Sequence, residues 1–373
     1  MTKFTIPKKG YKEKQAAIAI PCGGNHGTPG IAHFLEHKLF EDEETPIFEA
    51  FTKLGASVNA YTSFTHTVYY FNTVDNFTEC LALLHRMVEN PHITDENVEK
   101  EKPIIQAEID MYADNPHWQV YSNLHRALGL CDSILGTSET INAITKKDLL
   151  DFYHEHYDEK ALICVGDFPK EEPWGSTPPP AGAAVCQRHT FSRGASDLLS
   201  PDPIHSHYVQ THMTVSKPLF QLGFKTPAAN PAAATILADI LAGESSGLYT
   251  TLYEKGNIDN QFSTEYIGDT FLFSGTSTAP QAVRDSILRE TKHGITKPRF
   301  ETIKAKHIGR FIRASNSIET LCATQADLYT KGLTIDNMLE NFRSARFEDT
   351  EALLTRLTEE NHALSVVLPK ENV

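Results

Sequence analysis

"GIAHFLEHKLFE", residues 30–41, places His33, Glu36 and His37 within five positions of an otherwise apolar run. On a helix, His33 and His37 stand one turn apart on one face. Two imidazoles at that spacing can reach one zinc ion. Glu36, three residues after His33, falls beside the same face, where a carboxylate can take a proton from a metal-bound water. The order H-x-x-E-H is the inverse of H-E-x-x-H. The competing reading is the polar edge of an amphipathic helix, because a lone helical histidine is more often a hydrogen-bonded structural residue. The motif by itself leaves both readings open.

A metal at this position needs a further protein ligand. The stretch "TDENVEKEKPIIQAEIDMYADN", 94–115, offers one. Thr94 suits a helix N-cap, with acidic residues in the first turn. Glu101 and Glu108 are seven residues apart, two turns, and share a face. Glu108 has Ile104, Ile105, Ala107 and Ile109 for neighbours, so the sequence predicts an apolar setting in which an unpaired carboxylate is costly. A cation would relieve that cost. Glu96 to Lys102 reads equally well as a solvated charge run.

The chain has 373 residues, 40% hydrophobic and 22% charged, with a net charge of -14. That is the composition of a soluble globular protein with room for two or three domains. The acidic balance argues against nucleic acid as a partner, which would call for a basic stripe. Six cysteines are scattered without a C-x-x-C pair and read as reduced residues. The first residues lack the apolar core of a signal peptide, and no apolar run reaches the ~18 residues of a membrane span. The expected compartment is cytoplasmic, with no membrane span.

Residues 169–205, with "PKEEPWGSTPPPAGAA" and "SPDPIH", read as a linker rich in Pro, Gly and Ser. It leaves a first domain at 1–168 and a second at 206–373. Each half has an early strand, a helix, a pair of strands and more helices, and closes on a short apolar strand, "ALICVGDF" or "ALSVVLPK". The paired strands lie within "SVNAYTSFTHTVYYFN" in one half and are "NQFSTEYIG" and "TFLFSGTST" in the other. The expected fold class is α+β, two homologous domains, each packing helices on a mostly antiparallel sheet.

"GIAHFLEHKLFE", then "GASVNAYTSFTHTVYYFN", then "EKPIIQAEIDMYADNP" together resemble the pitrilysin/insulinase-type zinc metallopeptidases, the inverzincins. The likeness is to their bacterial and mitochondrial processing-peptidase-like branch. It extends over nearly the whole chain, including "VGDF" at 165–168 and "LADILAGESSGLYTTLYEKGNID" at 237–259. The resemblance implies one Zn2+ per chain, with His33, His37 and Glu108 as its ligands and Glu36 as the general base. It makes Glu101 an acidic residue behind the ligands, orienting a ligating histidine. It places Asn59 and Ala60 on an edge strand where an extended peptide substrate adds to the sheet. The implied architecture is a clamshell around a chamber that admits short or unfolded peptides.

One segment departs from that pattern. Active members of the family complete their site with an Arg and a Tyr seven residues apart in the second half. The matching segment here, "LYEKGNIDNQF", has Tyr253 and Asn260 at those positions. Neither supplies a charge-assisted donor. The expectation is the zinc-bearing catalytic subunit of a heterodimer whose homologous partner supplies the Arg/Tyr pair. The alternatives are a non-catalytic structural subunit and a self-sufficient homodimeric peptidase. Pro103, inside the Glu101–Glu108 helix, is expected to kink it, and the short amino terminus to trim the first sheet at one edge. "YHEHYDE" (153–159), "HSHYVQTH" (205–212) and His66 are read as structural. Were a metal held at 205–212, His205 and His207 would share a strand face, and His66 is expected on a strand surface.

Overall fold

The computed structural model describes residues 1–42, 46–130, 133–168 and 204–370. The expected linker therefore lies outside the described residues except for its last two positions. Among the described residues the two halves run through the same order of elements: two strands, two helices, two strands, five helices and a strand. The first half is β1 (Thr2–Pro7), β2 (Lys14–Ile20), α1 (Ile31–Leu39), α2 (Ile47–Lys53), β3 (Ser57–Thr62), β4 (Thr67–Thr73), α3 (Phe77–Glu89), α4 (Asp95–Ala113), α5 (Pro116–Ala127), α6 (Ser138–Ala143), α7 (Lys146–His156) and β5 (Ala161–Gly166). The second is β6 (Tyr208–Met213), β7 (Leu219–Lys225), α8 (Pro231–Ala242), α9 (Gly247–Glu254), β8 (Ser263–Ile267), β9 (Thr270–Thr276), α10 (Pro280–Glu290), α11 (Lys297–Ala314), α12 (Ile318–Thr330), α13 (Ile335–Ser344), α14 (Phe347–Leu354) and β10 (His362–Pro369).

Each half builds a five-stranded sheet, in the order β1-β5-β2-β4-β3 and β6-β10-β7-β9-β8. Only the pairs β1–β5 and β6–β10 are parallel. The fold is thus α+β with two mostly antiparallel sheets of one topology. The first sheet is not trimmed: β1 runs beside β5 from Thr2 to Pro7 and gives it the same strand count as the second.

The compact units do not follow the two chain halves. One unit comprises Met1–Ile109, the stretch from Ser133 through β5, and Arg313–Ile335; the other comprises Asp110 through α5, the strands and helices from β6 to Ile312, and the chain from Asp336. Each half therefore lends one helix to the other's sheet, α12 to the first and α5 to the second. The strand sequences explain why. Ala16, Ile18 and Ile20 of β2 enter the core under α1, α3 and α7, while Ala17 and Ala19 on the opposite face pack with Ile318, Leu321, Cys322 and Ala326 of α12. A strand buried on both faces reads as a continuous apolar run rather than an alternating one. On the second sheet, Leu124 and Leu128 approach Gly223 so closely that a Cβ there would lie 2.9 Å from a Leu128 methyl. Cys22, Cys80, Cys164 and Cys322 are free and buried; Cys131 and Cys186 lie outside the described residues.

The repeat can be followed residue by residue in the two long helices. The buried positions Val98 and Glu101 of α4 match Phe300 and Ile303 of α11 in spacing. At the same offset Lys102 falls on Lys304. Lys102 donates to the Asn142 carbonyl at 3.0 Å and Lys304 to the Ala345 carbonyl at 2.8 Å, each at the end of an equivalent helix. α4 runs unbroken from Asp95 to Ala113 with Pro103 inside it.

In the second unit, α8 and α11 are tied by Asp239, which is almost fully buried. Lys306 Nζ lies 2.8 Å and His307 Nε2 2.9 Å from its Oδ2. Burial alone would push the Asp239 carboxyl up, but the contacts from His307 and Lys306 outweigh it and hold the pKa at about 2. A depressed carboxyl contributes stability that is present above its ordinary pKa and lost as pH falls through the native one. Asp239→Ala should cost about 2 kcal/mol at neutral pH, because it leaves the part-buried Lys306 ammonium and the His307 ring without the carboxylate they share. In denaturant titrations the gap between parent and variant should close between pH 3.8 and about 2. A pH-independent gap there would show that the ion pair is not its source.

Candidate metal centre

α1 is buried on nearly every side, as expected of a helix that is mostly apolar around its circumference. It starts at Gly30, whose φ of 92° favours glycine and whose Cβ, if present, would lie 2.7 Å from the Leu135 carbonyl oxygen. Ile31, Ala32, Phe34, Leu35 and Leu39 anchor it in the core. His33, Glu36 and His37 emerge together on the remaining face, against α4 and β3.

α4 is capped reciprocally: Thr94 Oγ1 accepts from the Asn97 N–H at 3.1 Å, and Asn97 Oδ1 from the Thr94 N–H at 2.8 Å. Its Glu101 and Glu108 both turn to α1. Glu101 Oε1 accepts from His37 Nδ1 at 2.9 Å. Glu108 Oε2 stands 3.4 Å from His37 Nε2 and 3.6 Å from His33 Nε2. Among the described residues, His33, His37 and Glu108 form the one group with metal-ligand spacing, their donor atoms all within 4.8 Å of one another. Ligands bonded tetrahedrally to zinc at about 2.0–2.1 Å sit roughly 3.4 Å apart, so two of these spacings suit that ion. With Nδ1 of His37 occupied by Glu101, Nε2 is the ring atom left for a metal.

The electrostatics divide the two imidazoles. Burial, with His37 as neighbour, holds the His33 pKa down at about 4, so its ring is neutral at pH 7. Burial acts the same way on His37, but the hydrogen bonds to Glu101 and Glu108 overcome it and raise that pKa to about 9. Glu108 is lowered, chiefly by its contact with His37; Glu101 is lowered by His37 in spite of its burial. Glu36 is raised by burial, opposed by a hydrogen bond at 2.5 Å from Thr62 Oγ1. A buried carboxyl of raised pKa is suited to accepting and returning a proton.

Three expectations about surroundings need correction. Glu108 is not enclosed by apolar side chains: its own side chain is 25% exposed, and Ile104 and Ala107 face solvent. Glu101 is the more deeply buried carboxylate, because the α4 face that meets the core centres on Val98 and Ile105. His66 is buried, not on a strand surface. It sits in the turn between β3 and β4, its Nδ1 within 3.0 Å of Ser63 Oγ. His205 and His207 precede β6 rather than sharing a strand face.

Two neighbours were not singled out from the sequence. Thr62 was legible in principle: strand alternation puts Val58, Ala60 and Thr62 on one face of β3. Lys38 was not. It is fully buried, donates to the Asn97 carbonyl at 2.9 Å and to Glu41, and stands 3.9 Å from Glu101. Asn59 and Ala60 lie on β3, the edge of the first sheet. Tyr253 is exposed on α9, and Asn260 lies in the turn before β8.

His33, buried, and His37, partly exposed, thus face the carboxylates of α4 in the order H-x-x-E-H on one helix. Residues 11–137 match the family described as insulinase, peptidase family M16. The chain is 32% identical over 374 residues to YmfH of Bacillus subtilis (strain 168), named an uncharacterized zinc protease, with 90% of this chain and 86% of that one covered. It therefore belongs to the insulinase (M16) family. Its fold superposes on the crystal structure of a putative M16-like peptidase from Alicyclobacillus acidocaldarius with a TM-score of 0.85, at 27% identity, covering 98% and 95% of the two chains. Processing-peptidase-like relatives are present too. A probable mitochondrial-processing peptidase subunit beta of Schizosaccharomyces pombe is 34% identical over 157 residues, 38% of this chain and 34% of that one.

Metal analysis of purified variants checks the ligand set. His33→Ala and Glu108→Ala should abolish stoichiometric zinc, while Glu101→Gln should weaken affinity by about 10- to 100-fold through the loosened His37 ring. Full zinc retention in Glu108→Ala would remove that residue from the set.

Proposed function

We propose that the chain is the catalytic subunit of a zinc-dependent endopeptidase acting on short or unfolded peptides. The observation that carries the reading is the convergence of His33, His37 and Glu108 beside the buried carboxyl of Glu36. His33, His37 and Glu108 would hold one zinc ion. The ion would supply Lewis acidity, making a water a better acid and a scissile carbonyl a better electrophile. Glu36, held by Thr62, takes the proton of the attacking water and delivers it to the leaving amine. Glu101 acts through His37, fixing its ring.

The substrate docks on β3. Ser63 N–H donates to the His66 carbonyl, so the pairs Tyr61–Val68 and Asn59–Tyr70 are the hydrogen-bonded ones. The N–H and C=O groups of Val58, Ala60 and Thr62 then point away from the sheet, free to pair with an extended peptide. Asn59 Oδ1 accepts from the Ala60 N–H at 2.8 Å, so its side chain covers that donor and releases it when a peptide pairs there. Tyr253 and Asn260, where related enzymes carry Arg and Tyr, make a homologous partner subunit the source of those groups.

Glu36→Gln should retain zinc and lose hydrolysis of an unstructured peptide. Metal loss comparable to that in His33→Ala would show that base and ligand are wrongly assigned. The purified chain should be poorly active alone and gain activity on mixing with a homologue that carries the Arg/Tyr pair. Full activity alone would refute the divided site.

A further inference from the structure

The match between α4 and α11 that aligns Val98 with Phe300 and Lys102 with Lys304 also aligns Glu108 with Arg310 and Ile104 with Lys306. Where α4 carries Glu108, α11 thus carries Arg310, while Glu101 falls on the buried Ile303. Arg299, Lys306, Arg310 and Arg313 fall within about 60° of one another at ~100° per residue, a single stripe along α11. Lys306 is tied to Asp239, and Arg299 donates to Ser245 Oγ at 2.9 Å. Arg310 and Arg313 are exposed, and within the described residues neither side chain is hydrogen-bonded or ion-paired. α11 carries six Lys and Arg residues against one Glu, in a chain of net charge -14.

We infer that this stripe is a docking surface for an acidic segment of a peptide. Long-range repulsion from an acidic chain disfavours such a segment elsewhere, so its binding requires a local cationic surface. Arginine is the side chain suited to that task, because its planar fork pairs with carboxylates bidentately. The identity of the occupant as a substrate segment rests on the peptidase reading above; the surface itself does not.

The test uses full-length, zinc-loaded Glu36→Gln protein, so that bound peptide is not cleaved. Two labelled twelve-residue peptides are compared by fluorescence anisotropy, one with a run of Glu and one with Gln in its place. The Glu peptide should bind about tenfold tighter at low salt, with the preference shrinking toward 0.5 M salt. Adding Arg310→Glu and Arg313→Glu should abolish the preference, and the milder Gln pair should reduce it. Lys297→Glu, half that charge change on another side of α11, should leave more than half of it. Equal affinity for the two peptides overturns the inference, as does an equal loss in Lys297→Glu. So does anionic phosphatidylserine vesicle binding that depends on Arg310 and Arg313 while the peptide preference does not. If the preference holds but the parent chain, with or without a homologue, hydrolyses no unstructured peptide, the peptidase reading falls and the docking surface stands.

Discussion

The α1–α4 contact sets the terms for the rest of the first unit. Burying polar groups in a helix interface is costly unless each finds a partner. Here His37 is held between Glu101 and Glu108, Glu36 by Thr62, and Glu101 has Lys38 close behind it. The apolar remainder of α1 fixes the helix in the core. These polar groups therefore cannot relax away from one another. The rigidity that stabilises the interface is also what a catalytic constellation requires.

The second unit solves the same packing problem with different chemistry. Its equivalent long helix keeps the lysine that reaches a helix-end carbonyl, and its buried positions keep their spacing. The link between α8 and α11 puts the carboxylate on the first helix and its partners, Lys306 and His307, on the second, the reverse of the α1–α4 arrangement. One frame thus carries two charge patterns.

Much of this was legible in the sequence because it depends on short-range spacing. The i,i+4 histidines, the Glu101–Glu108 interval and the paired strands around Asn59 and Ser263 follow from helix and strand periodicity. The fold class followed from the repeated order of elements. What escaped depends on contacts between distant segments. Nothing local distinguishes α5 and α12 as helices that cover the opposite half's sheet, although the unbroken apolar run of β2 hinted at two covered faces. Lys38 reads as a surface residue until Asn97, Glu41 and Glu101 are brought to it. β1 escaped for the same reason: its pairing partner, β5, is more than 150 residues away.

The exchange of α5 and α12 also governs the order in which the molecule can be completed. When the ribosome has made the first sheet and its own helices, Ala17, Ala19, Ile163 and Val165 still expose an apolar face, because Ile318 to Tyr329 have yet to be synthesised. The first unit is therefore finished only after α12 has been made. Its assembly waits on contacts of very long sequence separation, the kind that slow folding. Until then the bare face is a surface for misassociation, and a chaperone or a delayed collapse must shelter it.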